Sequence, residues 1–240
     1  MQSPTPFGAL VVRAFRLCAR RWWFYLAAAV VAIGLQTALL AIHSLREPIV
    51  VAVTIVMPIL SLVVYVFVGT DATGQEVPRG ARWERIFERS WAVIVIDVVI
   101  TILLSSAIAG LSTPDATGLL IGVLAYALVM LTIYADVNAA LEPKVSALWL
   151  VPNAFRRSAS LALHRFNIYL TLALVATDMV VSILPQLFAS WLASMHVANA
   201  DFWALIPLQT LLQVPFAALV VVVYFECTGR EKTAATGDRD

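Results

Sequence analysis

Long apolar runs, separated by short polar segments, make up most of this sequence. Six runs contain about 20 mostly apolar residues, the length that an α-helix needs to cross the hydrocarbon core of a membrane. The pattern therefore predicts an all-α, polytopic membrane protein with six transmembrane helices in a single membrane domain, residues 1–240. The predicted spans are Trp22–Ser44, Ile49–Thr70, Trp91–Leu111, Gly118–Ala140, Phe166–Trp191 and Trp203–Cys227.

An amphipathic segment precedes the first predicted span. Three arginines share one helical face at the spacing i, i+3, i+7: Arg13, Arg16 and Arg20. Apolar residues occupy most of the opposite face: Leu10, Ala14, Leu17 and Cys18. Such a helix typically lies in the headgroup layer of a membrane, with its arginines toward anionic lipid. Trp22 and Trp23 then mark the interface at which the chain enters the membrane.

Composition supports a bilayer environment. The chain is 61% hydrophobic and 13% charged, whereas soluble domains carry about 25% charged residues. The segment Met1–Gly8 lacks a basic region, and no small-residue cleavage site follows it, so we expect the first span to remain uncleaved. Cys18 and Cys227 both lie beside basic segments that we assign to the cytoplasm, where a disulfide is not expected.

The distribution of basic residues predicts the orientation. If the spans are as above, 15 of the 16 Lys and Arg residues lie on one side, and Arg46 alone lies on the other. Because cytoplasmic loops carry the excess of Lys and Arg, both termini are predicted to be cytoplasmic, as expected for a protein of the cytoplasmic membrane. The residues on the basic side are Arg13, Arg16, Arg20, Arg21, Arg79, Arg82, Arg85, Arg89, Lys144, Arg156, Arg157, Arg165, Arg230, Lys232 and Arg239.

The sequence also contains an internal repeat. A shift of 69 residues aligns the segment that starts at Arg13 with the one that starts at Arg82, giving eight identities in 29 positions. A looser third copy follows Ala154. We infer a unit of one cytoplasmic amphipathic interfacial helix followed by a membrane hairpin, used three times, in residues 5–74, 75–140 and 141–230. Residues 231–240 are predicted to be a short disordered cytoplasmic tail.

The end of the last span carries a family resemblance. Pro215-Phe216 is followed by Tyr224, Glu226 and then Arg230. This run and the three-fold layout resemble the membrane domain that precedes the catalytic domain in some glycerophosphodiester phosphodiesterases, and its stand-alone bacterial relatives of unknown function. Only about ten polar residues follow the last span, so the resemblance implies the membrane domain without phosphodiesterase activity.

Two acids inside predicted spans are the first candidates for a functional site. Asp97 and Asp178 lie in similar apolar surroundings, and Gln36 and Gln213 are expected at comparable depth. An acid in the bilayer costs roughly 2.5–3.5 kcal/mol on insertion scales, so it should face the interior of the bundle. One interpretation is a protonatable path or a polar substrate site. The other is a structural acid that joins helices through hydrogen bonds.

The arginines in the predicted interfacial helices are candidate contacts for lipid headgroups. A role in setting the orientation of the chain in the membrane explains them as well. The candidate residues are Arg13, Arg16, Arg20, Arg82, Arg85, Arg89, Arg156 and Arg157. A separate G-x-x-x-G pattern, Gly118 to Gly122, could allow another helix to approach closely.

No motif for catalysis is present. The sequence lacks a Walker A loop and the G-x-S-x-G and H-E-x-x-H patterns. We expect no enzyme activity, no cofactor, no metal site and no nucleic-acid binding. The leading hypothesis is a non-enzymatic membrane protein that supports transport or lipid handling, contacting membrane lipids and acting with a protein partner or as a homo-oligomer. The alternatives are a self-contained secondary transporter with an intramembrane acidic site and a membrane assembly scaffold.

Overall fold

The computed structural model describes residues 5–42, 47–74, 77–111, 115–142, 147–165, 167–196 and 200–237. Within these ranges the chain forms nine α-helices and no strand. Arg46, Lys144 and Arg239, which entered the prediction of orientation, lie outside the described residues. The helices are α1 (Phe7–Arg20), α2 (Trp22–Ile42), α3 (Glu47–Thr73), α4 (Arg79–Leu111), α5 (Ala116–Thr132), α6 (Ala135–Leu141), α7 (Ala147–Leu163), α8 (Ile168–Ser194) and α9 (Ala200–Gly237).

Five of the described helical segments are long and apolar enough to cross a membrane. They belong to α3, α4, α5 with α6, α8 and α9. Helices α1 and α2 meet at 84° and supply a sixth candidate span if the pair is counted as one. The expectation of an all-helical chain with several apolar helices of membrane-spanning length is therefore confirmed.

The helix boundaries differ from the prediction in three places. The interfacial helix predicted before Trp91 in the second repeat is continuous with the third span, and both belong to α4 (Arg79–Leu111), because no proline or other helix breaker lies between Gly80 and Trp91. The predicted fourth span is interrupted between α5 and α6. Helix α9 continues to Gly237, into the segment predicted as a disordered tail, and residues 238–240 lie outside the described part.

Helices α3 and α9 form the centre of the structure and pack against each other. Residues 61–70 of α3 and 216–224 of α9 are buried throughout, as expected for helices that are apolar on all sides. By contrast, α5 exposes most of its apolar residues. The even-numbered spans of the three predicted repeats therefore differ in burial, although their sequences follow a similar plan.

A contact between glycines joins α4 to α5. A Cβ atom placed on Gly110 would lie 2.5 Å from the backbone nitrogen of Gly122 and 2.7 Å from the carbonyl oxygen of Gly118. The absence of a side chain at Gly110 therefore permits the two backbones to touch. The G-x-x-x-G pattern is used as the sequence suggested, with α4 as the helix that approaches it.

The interruption between α5 and α6 is stabilised by a serine from α7. The Ser158 hydroxyl donates to the carbonyl oxygen of Leu131 (2.6 Å) and accepts from the backbone N–H of Tyr134 (3.0 Å). Ser158 is fully buried. In a membrane interior such backbone groups have no water to bind and must find partners within the protein. The Tyr134 hydroxyl lies 3.0 Å from the Thr171 hydroxyl, which links the interruption to α8 as well.

Helix α1 packs on α9 through one face. The residues buried on that face are Leu10, Ala14 and Leu17. Arg13, Arg16 and Arg20 are exposed on the other side. The face of α1 that carries Leu10, Ala14 and Leu17 therefore contacts protein.

Candidate functional site

Three acids from three different helices interact electrostatically with one buried tyrosine. The Tyr65 side chain on α3 is 4% exposed. Its hydroxyl interacts electrostatically with the carboxyl groups of Asp97 on α4, Asp136 on α6 and Asp178 on α8. Asp97 also interacts electrostatically with both other acids. We call these four residues the acid cluster.

A chain of polar groups continues from the acid cluster into the contact between α3 and α9. Ser61 lies one helical turn before Tyr65 on α3, and its side chain interacts with the Tyr65 hydroxyl. The Gln213 amide on α9 donates to the Ser61 hydroxyl at 2.9 Å. About one helical turn along both helices, the Thr210 hydroxyl donates to the sulfur of Met57 at 3.7 Å. Hydroxyl, amide and thioether groups thus follow the acids along the two central helices.

The predicted polar residues fall into two groups. Asp97 and Asp178 are close enough to interact electrostatically, and Gln213 connects to them through Ser61 and Tyr65. Gln36 is buried, and its side-chain nitrogen has no hydrogen-bond partner in the described part of the chain. None of the contacts above includes it.

Sequence reasoning missed two members of the acid cluster. Asp136 lies within the predicted fourth span, Gly118–Ala140, and an acid within a span is itself a sufficient signal. One of its carboxyl oxygens, Oδ1, is buried and has no hydrogen-bond partner in the part of the chain that the structure describes. Tyr65 carries no distinguishing signal, because a tyrosine in an apolar run reads as an ordinary core residue.

The acid cluster does not have the spacing of a metal site. Among the described residues, no group of three or more His, Cys, Asp or Glu side chains is arranged to hold a metal ion. Carboxyl and phenol groups can exchange protons and form hydrogen bonds.

A second polar feature lies at the end of the bundle where Arg21, Arg82, Arg85 and Arg157 are found, which we call the basic end. Here α3, α4, α6, α7 and α9 surround a cavity of about 430 Å³. This size is in the range of small-molecule sites. Its polar lining consists of two arginines, three threonines, one tyrosine and one acid: Arg85, Arg157, Thr70, Thr73, Thr228, Tyr224 and Glu142.

The structure gives the predicted headgroup-binding arginines three different environments. Arg13, Arg16, Arg20 and Arg156 are exposed, and headgroup contact at these four residues stays a prediction. Arg85 and Arg157 line the cavity, and Arg89 donates to the carbonyl oxygen of Glu142 at 3.3 Å.

Arg82 departs from the prediction of a headgroup contact. Its side chain is 8% exposed and forms an ion pair with Asp71 at 3.3 Å. Its Nε donates to the carbonyl oxygen of Val77 at 3.2 Å, and its guanidinium carbon lies 5.2 Å from the centre of the Phe67 ring. Burial against a carboxylate and an aromatic ring is a structural role, so Arg82 is corrected from a lipid contact to a contact between α3 and α4.

Comparison with known proteins returned no relative. No protein-family model, no curated protein and no solved structure matches this chain. The resemblance to the membrane domain of glycerophosphodiester phosphodiesterases stays a prediction from the residues named above. The case for function therefore depends on the acid cluster and on the cavity at the basic end.

Proposed function

We propose that this protein is a non-enzymatic, multi-pass integral membrane protein that supports transport, and that the acid cluster is the site at which protons or a polar solute are handled. The observation that carries the proposal is that Asp97, Asp136 and Asp178, from three helices, all lie close enough to Tyr65 to interact with it electrostatically.

The energetic cost of this arrangement supports a working site. Each acid placed in a membrane interior costs several kcal/mol unless it finds partners. An apolar core would give a lower free energy of the folded state, because replacing buried charges with apolar groups is often neutral or stabilising. Acids and hydroxyls in series are the usual composition of proton relays in pumps and transporters. The continuation through Ser61 and Gln213 gives the cluster such a series.

The proposed orientation places the basic end in the cytoplasm. In this arrangement α2 with α3, α4 with α5 and α6, and α8 with α9 form three membrane hairpins. Each pair packs closely. The exposed row Arg13, Arg16 and Arg20 on α1 then faces the headgroups of the cytoplasmic leaflet.

Proton flux into liposomes tests the proposal. Full-length protein is reconstituted with a pH-sensitive dye inside the vesicles, and a potassium gradient with valinomycin provides the driving force. We expect a flux above that of empty liposomes, and its loss in Asp178→Asn and Asp97→Asn. Asp115→Asn is the matched control, because Asp115 is an exposed helix cap where Asn serves equally well.

The result that would contradict transport is a flux no greater than in empty liposomes, both with the potassium diffusion potential alone and with candidate solutes added. Tyr65→Phe tests whether the Tyr65 hydroxyl takes part in the flux, since the change removes only that hydroxyl from the acid cluster. Loss of flux in this variant, with normal insertion and elution volume, indicates that the hydroxyl takes part.

A membrane assembly scaffold is the second candidate. The same three acids link α4, α6 and α8 electrostatically, which is also what a structural acid at a helix contact does. In that case Asp97→Asn and Asp178→Asn change the oligomeric state or the thermal stability in detergent, and the wild-type protein has no flux to lose.

A further inference from the structure

The polar groups around the cavity at the basic end are divided into donors and acceptors. The donors are Arg85 from α4 and Arg157 from α7. A guanidinium carries five N–H donors and accepts no hydrogen bond. Two guanidiniums from different helices on one cavity suit a phosphate, whose oxygens bind arginine in a bidentate manner.

The threonines supply acceptors. Thr70 donates its hydroxyl proton to the carbonyl oxygens of Val66 and Phe67, at 3.0 and 2.9 Å. Thr73 donates to the carbonyl oxygen of Thr70 at 3.0 Å. Thr228 on α9 likewise donates to the carbonyl oxygen of Phe225 at 3.0 Å. Because each hydroxyl proton is used within its own helix, these side chains have only lone pairs to offer to a ligand.

Glu142 adds a charged acceptor. Its Oε2 atom is buried and has no hydrogen-bond partner within the described ranges. Arg89 donates to the backbone carbonyl oxygen of Glu142 at 3.3 Å. A buried carboxylate oxygen without a donor is costly. A ligand that supplies an N–H group would remove this cost.

We propose that the cavity at the basic end binds a zwitterion that carries a phosphate and a primary ammonium group. The phosphate contacts Arg85 and Arg157, and the ammonium donates to Glu142 and the threonine oxygens. The two positive side chains complement the phosphate of such a ligand, and the one negative side chain complements its ammonium group. This chemistry is present both in free phosphoethanolamine and in the headgroup of phosphatidylethanolamine. The inference does not depend on the acid cluster.

Isothermal titration calorimetry of the full-length protein in a neutral maltoside detergent tests the inference. The probes are phosphoethanolamine, phosphocholine, inorganic phosphate and dihexanoyl phosphatidylethanolamine. Phosphocholine retains both charges but has no N–H donor, so it isolates the contribution of the acceptors. We expect an amine-bearing probe to bind about tenfold or more tightly than phosphocholine, in line with a charge-assisted hydrogen bond.

Variants assign the two halves of the site. Arg85→Gln and Arg157→Gln should each weaken binding about tenfold or more, whereas Arg156→Gln, exposed on the same helix, should leave it unchanged. Glu142→Gln should abolish the preference for phosphoethanolamine over phosphocholine. Glu84→Gln, a change on the exposed surface of α4, should leave this preference intact. If a glutamine variant does not elute as folded protein, Arg85→Lys or Arg157→Lys is measured in its place. These changes retain the positive charge.

The four titrations also distinguish between a soluble ligand and a lipid headgroup. Binding of free phosphoethanolamine alone supports a soluble ligand, and binding of the short-chain lipid alone supports a lipid headgroup. Equal affinity for phosphoethanolamine and phosphocholine overturns the proposal, as does binding of inorganic phosphate only. The absence of heat with all four probes overturns it as well.

Discussion

Arg21 and Asp71 form a two-point ion pair across 50 residues of sequence. Nε of Arg21 lies 2.6 Å from Oδ2 of Asp71, and Nη2 lies 3.1 Å from Oδ1. The same carboxylate accepts a third bond from Arg82 at 3.3 Å. Asp71 therefore ties the bend between α1 and α2 to the end of α3 and to the start of α4.

We expect Asp71→Asn to lower the free energy of unfolding by about 1–3 kcal/mol, because hydrogen bonds to charged groups carry energies of this size. The change preserves the shape of the side chain but leaves two arginines without a negative charge. Unfolding in mixed micelles measures the loss. Glu84→Gln, an exposed change on α4, serves as control. A double-mutant cycle with Arg21→Gln should give a coupling energy, and additive single effects would refute the ion pair.

Ser158→Ala should destabilise the protein by about 1–3 kcal/mol, since it leaves the buried carbonyl of Leu131 and the N–H of Tyr134 without a partner. Ser160 lies two residues away on α7 and is exposed, so Ser160→Ala should change stability little. Thermal unfolding in detergent compares the two variants. Equal midpoints would show that the interruption between α5 and α6 does not depend on Ser158.

Gly110→Ala should separate α4 from α5. The new Cβ would lie 2.5 Å from a backbone nitrogen, where no side-chain rotation can relieve the clash, and overpacking of this kind costs about 1–3 kcal/mol. Gly34→Ala on α2 is the matched control, because no atom lies within 4 Å of its Cβ position. That variant should be neutral or slightly more stable, as alanine favours helix. Equal effects of the two changes would contradict the close contact.

Cys18 should react slowly with maleimide at neutral pH. Burial raises the pKa of the Cys18 thiol to about 11, so the reactive thiolate is roughly two orders of magnitude rarer than for an exposed cysteine. The labelling rate should rise about tenfold for each pH unit between pH 7 and 9. Ala19→Cys, combined with Cys18→Ser, provides an exposed comparison at the neighbouring position. Comparable rates at pH 7 would show that the apolar face of α1 is not buried.

Local sequence patterns were sufficient for the helices and for part of the site. The apolar runs predicted an all-helical chain, and the spacing of Arg13, Arg16 and Arg20 gave the exposed face of α1. The cost of an acid in an apolar environment led to Asp97 and Asp178, which the structure places close enough to interact electrostatically. These predictions succeed because they depend only on helix geometry and on the free energy of transfer from water.

Contacts between distant segments decided the rest. Arg13 and Arg82 align in the repeat, yet Arg13 is exposed and Arg82 is buried beside Asp71. Arg16 and Arg85 align as well, yet only Arg85 lines the cavity. The spacing of polar and apolar residues gives identical predictions for both arginines of each pair. The reason is that this spacing contains no information about which other helix packs against the one that carries the arginine.

The sequence by itself determined that this chain is helical and apolar enough for a membrane. It also showed which acids carry a large free-energy cost when they are buried. Only the tertiary structure decided that Asp136 and Tyr65 join Asp97 and Asp178, and that two arginines and Glu142 share a cavity. The physical reason is that secondary structure follows from interactions within one or two helical turns. A site built from several helices depends instead on side-chain packing between residues far apart in the chain.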